Sequence, residues 1–510
     1  MLTTCRNLIL LLLLTISIPS AAQRIFYTEA DKDDYRQMNF EIIGRVGGNI
    51  NVYKNFRARH DLSVYDNEMK LKSKTRLEFL PERVLNLDFV VYQDFYWMIY
   101  QYQKKNVVYC SVAKMDGNGK LMEDPIDIDT SHISGLSDNK IYSMINSDDK
   151  KQIMVFKINR RNEKKFLFTL LRFNSNMKME EKNVLLLDMP GESIITEFVL
   201  DNEGELVFGR SVRSGSGDYI KVFDIISKRP NEERFTFTHV PLPDKSLDEI
   251  KIKPDNLNRR FIVNSFYYKQ KKGNIDGIYN LVWDKADRKI GAQSSIMFGD
   301  TLRADAKSEN IPMKQAFNDY FIKQVIPKRD GGFVVFAELY YTTSRGGTWN
   351  RWDYLYGYNY FNPLNYMYYS PFSSMNYWRW TDPYNRFGMN TVRHYSENVV
   401  VMAFDANAQM QWSNVVRKNQ FDDNTDMYLS YQIFNTGAEV KFLFNTLERR
   451  ELILASVSLN PDGQQKREPT MRNLDQNYQF MPRYGKQVGA RQIVLPCMYK
   501  NYICFAKLDF

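Results

Sequence analysis

"SVAKMDGNGKLM" occupies residues 111–122, and its pattern sets the fold class of the whole chain. An apolar, partly β-branched run ends in Asp116, Gly-Asn-Gly follows, and a second run resumes after Lys120. Asp, Asn and Gly supply hairpin turns, while β-branched and apolar residues fill the paired strands on either side. The pattern recurs in "LSVYDNEMKLK", "LLRFNSNMKME", "IKVFDIISKR", "NLVWDKADRKI", "VVMAFDANAQMQW", "ASVSLNPDGQQ" and the terminal "CFAKLDF". Its markers are Asp66, Asp116, Asn174, Asp224, Asp284, Asp405, Asn460 and Asp509, at successive spacings of 50, 58, 50, 60, 121, 55 and 49 residues.

Each interval reads as four strands. In the second unit these are "LDFVVYQD", "FYWMIYQYQ", "NVVYCSVAKMD" and "KLMEDPIDID", and in the third "KIYSMINS", "KQIMVFKI", "KFLFTLLRF" and "NVLLLDM". Repeated four-stranded antiparallel units of about 50 residues are the signature of a β-propeller. Eight blades are expected, or seven if the first unit is an irregular cap. The last unit ends at its third strand, so "RIFYTEA" (24–30) is expected to supply the outer strand and close the ring. No long amphipathic helix is evident, and "KSENIPMKQAFNDY" (307–320) is at most a short one. No Pro, Gly or Ser linker divides the repeat, so residues 23–510 read as one domain.

The odd interval of 121 residues holds an insertion at about 342–396 in the sixth unit. From Trp349 to Phe387 sixteen of thirty-nine residues are Phe, Tyr or Trp, without strand alternation or a helical stripe. Tyr and Trp offer large, rigid, half-polar surfaces that anchor protein contacts or stack on sugars. Trp349, Trp352, Tyr377, Trp378 and Trp380 are therefore the expected contact platform, with Arg351 and Arg379 placed to stack or pair. The bland alternative is a self-packed cap over the channel mouth.

Residues 1–22, "MLTTCRNLILLLLLTISIPSAA", have the basic start, short apolar core and small-residue end of a secretory signal peptide. Export implies the periplasm or the outer membrane, and no later run is apolar enough for a transmembrane helix. The chain carries 69 Lys and Arg against 60 Asp and Glu, scattered rather than striped, which argues against nucleic acid and permits peripheral membrane association. In "PCMYKNYICF" a tight turn at Lys500–Asn501 sets Cys497 opposite Cys504, within disulfide reach, although two buried thiols fit equally well. Four histidines stand apart without metal spacing, and no cofactor fingerprint or nucleophile motif occurs, so neither metal nor cofactor is expected.

"ENVVVMAFDANAQMQWSNVVRKNQ" (397–420), following a Tyr-rich insertion, resembles phrases in uncharacterised exported propeller-like proteins of Bacteroidota. That resemblance implies an envelope location and no particular activity. The leading expectation is a non-enzymatic propeller that binds or scaffolds an envelope protein, within an outer-membrane assembly. A glycan-binding module and a carbohydrate-active hydrolase or lyase are the alternatives.

Overall fold

Asp116 closes its turn with its own side chain. Its N–H donates to the Lys120 carbonyl at 2.9 Å, the Gly119 N–H donates back to its carbonyl at 3.1 Å, and its Oδ1 accepts from the N–H groups of Asn118 (2.9 Å) and Lys120 (2.8 Å). The same four bonds recur at Asp66, Asn174, Asp201 and Asp405. The third residue after each of these takes positive φ: Met69 62°, Gly119 77°, Met177 54°, Gly204 84° and Ala408 61°. This is a three-residue hairpin loop, a type I turn followed by a left-handed residue. At Gly119 a side chain is also excluded, because a Cβ would come within 2.6 Å of Leu62 Cδ2.

The computed structural model describes residues 24–32, 38–137, 140–162, 164–191, 193–214, 217–269, 273–309, 311–344, 350–356, 368–369, 392–423, 425–448, 451–468, 471 and 478–510. Its strands form seven antiparallel sheets, built as a meander of four-stranded units. Unit 1 spans 38–76, unit 2 86–132, unit 3 142–188, unit 4 193–240, unit 5 251–297, unit 6 320–416 and unit 7 431–467. Unit 8 combines 486–509 with Arg24–Tyr27. Units 4 and 5 share one nine-stranded sheet, because Ser246–Leu247 pairs with Ile220 on one side and Tyr267–Tyr268 on the other. The expected terminal strand is present: Arg24 lies opposite Asp509 and Tyr27 opposite Ala506.

The long apolar runs follow from burial on both sheet faces. In Phe95–Lys104, Tyr96, Met98 and Tyr100 face unit 1, while the alternate residues Trp97 and Ile99 face unit 3. Comparable layers separate each unit from the next, and the last one joins Val494, Ile503 and Phe505 of unit 8 to Ile42, Ile50 and Val52 of unit 1. First strands of successive units also touch, including those of units 1 and 2, 3 and 4, 4 and 5, 5 and 6, and 8 and 1. The sheets therefore stand face to face around an axis lined by first strands, which is a β-propeller.

Antiparallel alternation places all first-to-second and third-to-fourth turns on one face of the disc, here the marker face. Bonds between units hold those turns together: Gly47 N–H to the Gln93 carbonyl (2.8 Å), Lys150 Nζ to the Val91 carbonyl (2.7 Å), Asn202 N–H to Asn256 Oδ1 (2.9 Å) and Trp412 Nε1 to the Pro461 carbonyl (3.2 Å). The second-to-third hairpins and the crossovers between units lie on the opposite, hairpin face.

Two markers are not turns, and Asp509 simply ends its strand opposite Arg24. Asp224 sits inside the strand Gly217–Lys228, which continues because Ile225 and Ile226 are buried. Its carboxylate binds Arg210 Nη2 at 2.8 Å and His239 Nδ1 at 2.9 Å instead of closing a loop. Helical structure is short: α1 covers Asp300–Ala306, and only Met313–Gln315 of the 307–320 stretch forms a 3₁₀ turn. The signal-peptide stretch 1–22 lies outside the described residues.

Candidate functional site

The insertion leaves the ring at the hairpin of unit 6. Strands Phe333–Ser344 and Val392–Phe404 stay paired out to Ser344 opposite Val392, so the segment between them is 345–391. In units 1 and 2 the equivalent loops are only Arg57–Ala58 and Lys105–Asn106. The root is stiffened by Tyr341 stacked on Tyr395 at 4.5 Å, by Tyr340 hydroxyl with His394 Nδ1 at 2.9 Å, and by Arg393 on Asp423 at 2.7 and 3.0 Å.

The first described turn of the segment, α2 (Arg351–Tyr356), folds back onto the ring. Arg351 donates to Asp248 at 2.6 and 2.9 Å, lies 3.5 Å from Glu249, and stacks its guanidinium 4.0 Å above Phe321. Asp248 also accepts from the Tyr268 hydroxyl at 2.9 Å, and Glu249 accepts the Ile322 N–H. Burial pushes the Glu249 carboxyl up to about 7, with Arg351 and Lys251 pulling the other way. Asp248 and Glu249 hold the Arg351 guanidinium firmly charged against its own burial. Trp352 is 5% exposed and enters the apolar layer between units 4 and 5, among Phe223, Tyr267 and Trp283, with Arg213 4.9 Å from its ring.

Two of the expected contact residues lie among the described ones, and Arg351 stacks on Phe321 and pairs with Asp248. Arg351 and Trp352 face the chain's own ring, because a buried carboxylate pair needs a cation and an apolar layer accommodates the indole. Trp349, Tyr377, Trp378, Arg379 and Trp380 lie outside the described residues. Further along, the backbone of Tyr368–Tyr369 pairs with Ile158–Asn159, so the described pieces of the segment touch units 4, 5 and 3.

Under the root lies a buried polar network. Glu338 accepts from Ser396 Oγ (2.7 Å), Lys418 Nζ (2.8 Å) and Ser430 Oγ (2.7 Å), and Lys418 also reaches Gln420 Oε1 at 2.9 Å. Lys418 and Ser396 Oγ are 2.7 Å apart, a spacing that would suit a nucleophile and its base. Both are buried, and Lys418 is held by Glu338, Gln420 and the Ser396 carbonyl, so the arrangement ties unit 6 to unit 7 and offers no access for a substrate.

Sequence reasoning missed the charges on the axial strands. Glu41 in unit 1 faces Lys486 in unit 8, Asp88 in unit 2 faces Lys140, and Glu197 in unit 4 binds Lys251 in unit 5 at 2.9 Å. Burial pushes Glu41 up to about 7 and raises Asp88, while it lowers Lys140 and Lys486. No local signal marks these pairs, since Glu41 and Lys486 sit at opposite ends of the chain. Cys497 and Cys504 are register partners with Sγ atoms 2.7 Å apart, and the turn residues Lys500 and Asn501 both have positive φ. Among the described residues no cluster of His, Cys, Asp and Glu could hold a metal, and no helix is long and apolar enough to cross a membrane.

No family model and no curated protein matches the sequence. Among solved structures the chain is similar to the WD40 domain of SCAP from fission yeast, at 8% identity over 96% of this chain and 98% of that one, with a TM-score of 0.39. It is also similar to a polysaccharide lyase of family PL25, an ulvan lyase, at 9% identity over 82% and 90%, TM-score 0.36. A prolyl endopeptidase is matched at 11% identity and TM-score 0.39 over 92% of this chain but only 55% of that chain. The resemblance of residues 397–420 to Bacteroidota envelope proteins thus has no matching family behind it.

Proposed function

We propose that this chain is an exported, eight-bladed β-propeller that binds an envelope protein through its Tyr/Trp-rich insertion and acts as a scaffold rather than an enzyme. Each four-stranded unit counts as one blade in this reading, which is supported by the apolar layer between every consecutive pair and by the layer joining unit 8 to unit 1. Export rests on the sequence of residues 1–22. One observation carries the functional reading: a two-residue hairpin has grown to 345–391, and its first turn is fastened to the ring by Arg351 and Trp352. That fastening gives the aromatic segment a fixed origin on the hairpin face. Trp349, Tyr377, Trp378, Arg379 and Trp380 are the proposed contacts, and Arg351 and Trp352 position them.

The test compares the mature chain with a variant in which residues 357–391 are replaced by a short Gly-Ser link, using crosslinking in intact cells and mass spectrometry. One envelope protein should be recovered with the full chain and lost with the variant, whose melting temperature should be nearly unchanged. Trp378→Ala with Trp380→Ala should weaken recovery by more than tenfold, since aromatic anchors at an interface contribute about 2 kcal/mol or more each. Recovery of the same protein without the segment would overturn the proposal.

A further inference from the structure

Five of the second-to-third hairpins of this chain are rich in Lys and Arg and poor in acids. Several cations of the marker face sit beside acids, Lys70 with Glu68 (2.7 Å), Lys151 with Asp149 (3.8 Å), Arg259 with Glu203 (3.5 Å), Arg288 with Glu232 (2.8 Å) and Lys328 with Asp330 (3.3 Å), as Arg59 does with Asp61 (2.8 Å) on the other face. The hairpins of the other face read "NFRARH" (55–60) in unit 1, "QKKNV" (103–107) in unit 2, "NRRNEKK" (159–165) in unit 3, "KQKKGN" (269–274) in unit 5 and "YKNY" (499–502) in unit 8. In sequence these five segments hold twelve Lys or Arg and one acid, Glu163, with residues 163 and 270–272 outside the described ones. Exposed Lys104, Lys105, Arg161, Lys164, Lys165 and Lys500 meet no carboxylate among the described residues. Units 8, 1, 2 and 3 are consecutive around the ring, so the tips form an arc, continued at unit 5.

Exposed apolar side chains accompany these cations. Leu136 is 71% exposed on the crossover held to the unit 2 hairpin, where Gln103 Nε2 donates to the Gly135 carbonyl at 2.8 Å. Met297 is 60% exposed, with its sulfur 3.6 Å from Lys269 Nζ, and Tyr502, next to the Lys500–Asn501 turn, is 42% exposed. Crossover acids such as Glu78, Glu82, Asp188 and Asp244 lie among the tips, so the face is a set of cationic points rather than a uniform field.

We infer that the hairpin face docks on an anionic lipid bilayer, with the Lys and Arg tips at the headgroups and Leu136, Met297 and Tyr502 entering the interface. Charge complementarity alone would equally suit a soluble polyanion. Projecting apolar side chains beside three of the five tips, Leu136, Met297 and Tyr502, are what favours a bilayer, whose boundary accepts both. The inference does not depend on the partner of the insertion, and none of its residues belongs to that segment.

The mature chain is sedimented with phosphatidylcholine vesicles containing or lacking phosphatidylglycerol. Binding should require phosphatidylglycerol and weaken as salt rises. Lys104→Glu, Lys105→Glu, Lys164→Glu and Lys165→Glu together should reduce partitioning by more than about tenfold, since each basic residue near such a surface contributes a factor of about five. Leu136→Ser should reduce it severalfold at constant charge. Because the fourfold variant must be shown to melt like the parent, the salt series on the unmodified chain provides an independent reading. A chain that stays in the supernatant with phosphatidylglycerol vesicles would overturn the inference. So would salt-insensitive binding, a folded fourfold variant that binds as well as the parent, or tighter capture by soluble polygalacturonate than by the vesicles.

Discussion

Replacing Arg351 with Ala tests how the insertion is fastened. The guanidinium makes three bonds of 2.6, 2.9 and 3.1 Å to Asp248, which is 1% exposed, and lies beside the buried Glu249. Removing one partner of a buried ion pair costs about 3–5 kcal/mol, because the remaining charge stays desolvated. An exposed pair would cost no more than about 1 kcal/mol. Since α2 belongs to a segment that water can reach once it lifts, the lower end, about 3 kcal/mol, is expected in urea unfolding of the mature chain. Glu249 adds a pH signature. Its carboxyl, already pushed up to about 7 by burial, rises further without Arg351, and a raised carboxyl stabilises below its unfolded value and loses that contribution as pH climbs through the folded one. The deficit of the variant should therefore be larger at pH 8 than at pH 5, and trypsin should cut within 345–391 faster. Arg351→Lys keeps the charge without the fork and should fall between the two. A change below about 0.5 kcal/mol with unaltered proteolysis would refute the burial argument.

Glu41→Gln should flatten the pH dependence of stability between about 4.5 and 7: the parent loses up to ~3 kcal/mol as the buried carboxyl is forced to ionise, and an identical profile in the variant would count against axial burial. Asp116→Ala deprives the Asn118 and Lys120 N–H groups of their shared acceptor and should cost about 1–3 kcal/mol, read as a shift in the urea midpoint at constant slope. Thiol titration of the denatured, unreduced mature chain separates the two readings of Cys497 and Cys504: one reactive thiol, Cys110, means a bridge, and three mean two buried thiols.

The fold was legible where sequence alone fixes local geometry. Asp116 and its equivalents announce a turn because a carboxylate two and four residues from the N–H groups it accepts needs no distant partner. The Cys497–Cys504 register follows from a two-residue loop in the same way. Asp224 misled because "VFD" looks like a strand end, whereas its true role depends on Arg210 and His239. The position of the insertion could be read from one doubled spacing, but the destination of Arg351 could not, since Asp248 lies 103 residues earlier. The strand Ser246–Leu247 that fuses units 4 and 5, and the axial pair of Glu41 and Lys486, likewise depend on how the ring closes.

That closure is tested most directly by removing the terminal strand. A chain lacking residues 24–32 should unfold at markedly lower urea, because the strand Tyr502–Asp509 loses its outer neighbour and the Thr28 N–H bond to the Phe505 carbonyl (2.9 Å). The peptide RIFYTEADK, added separately, should bind the shortened chain and restore much of the lost stability. A shortened chain as stable as the parent, or one that stays folded and ignores the peptide, would contradict a ring closed by its two ends.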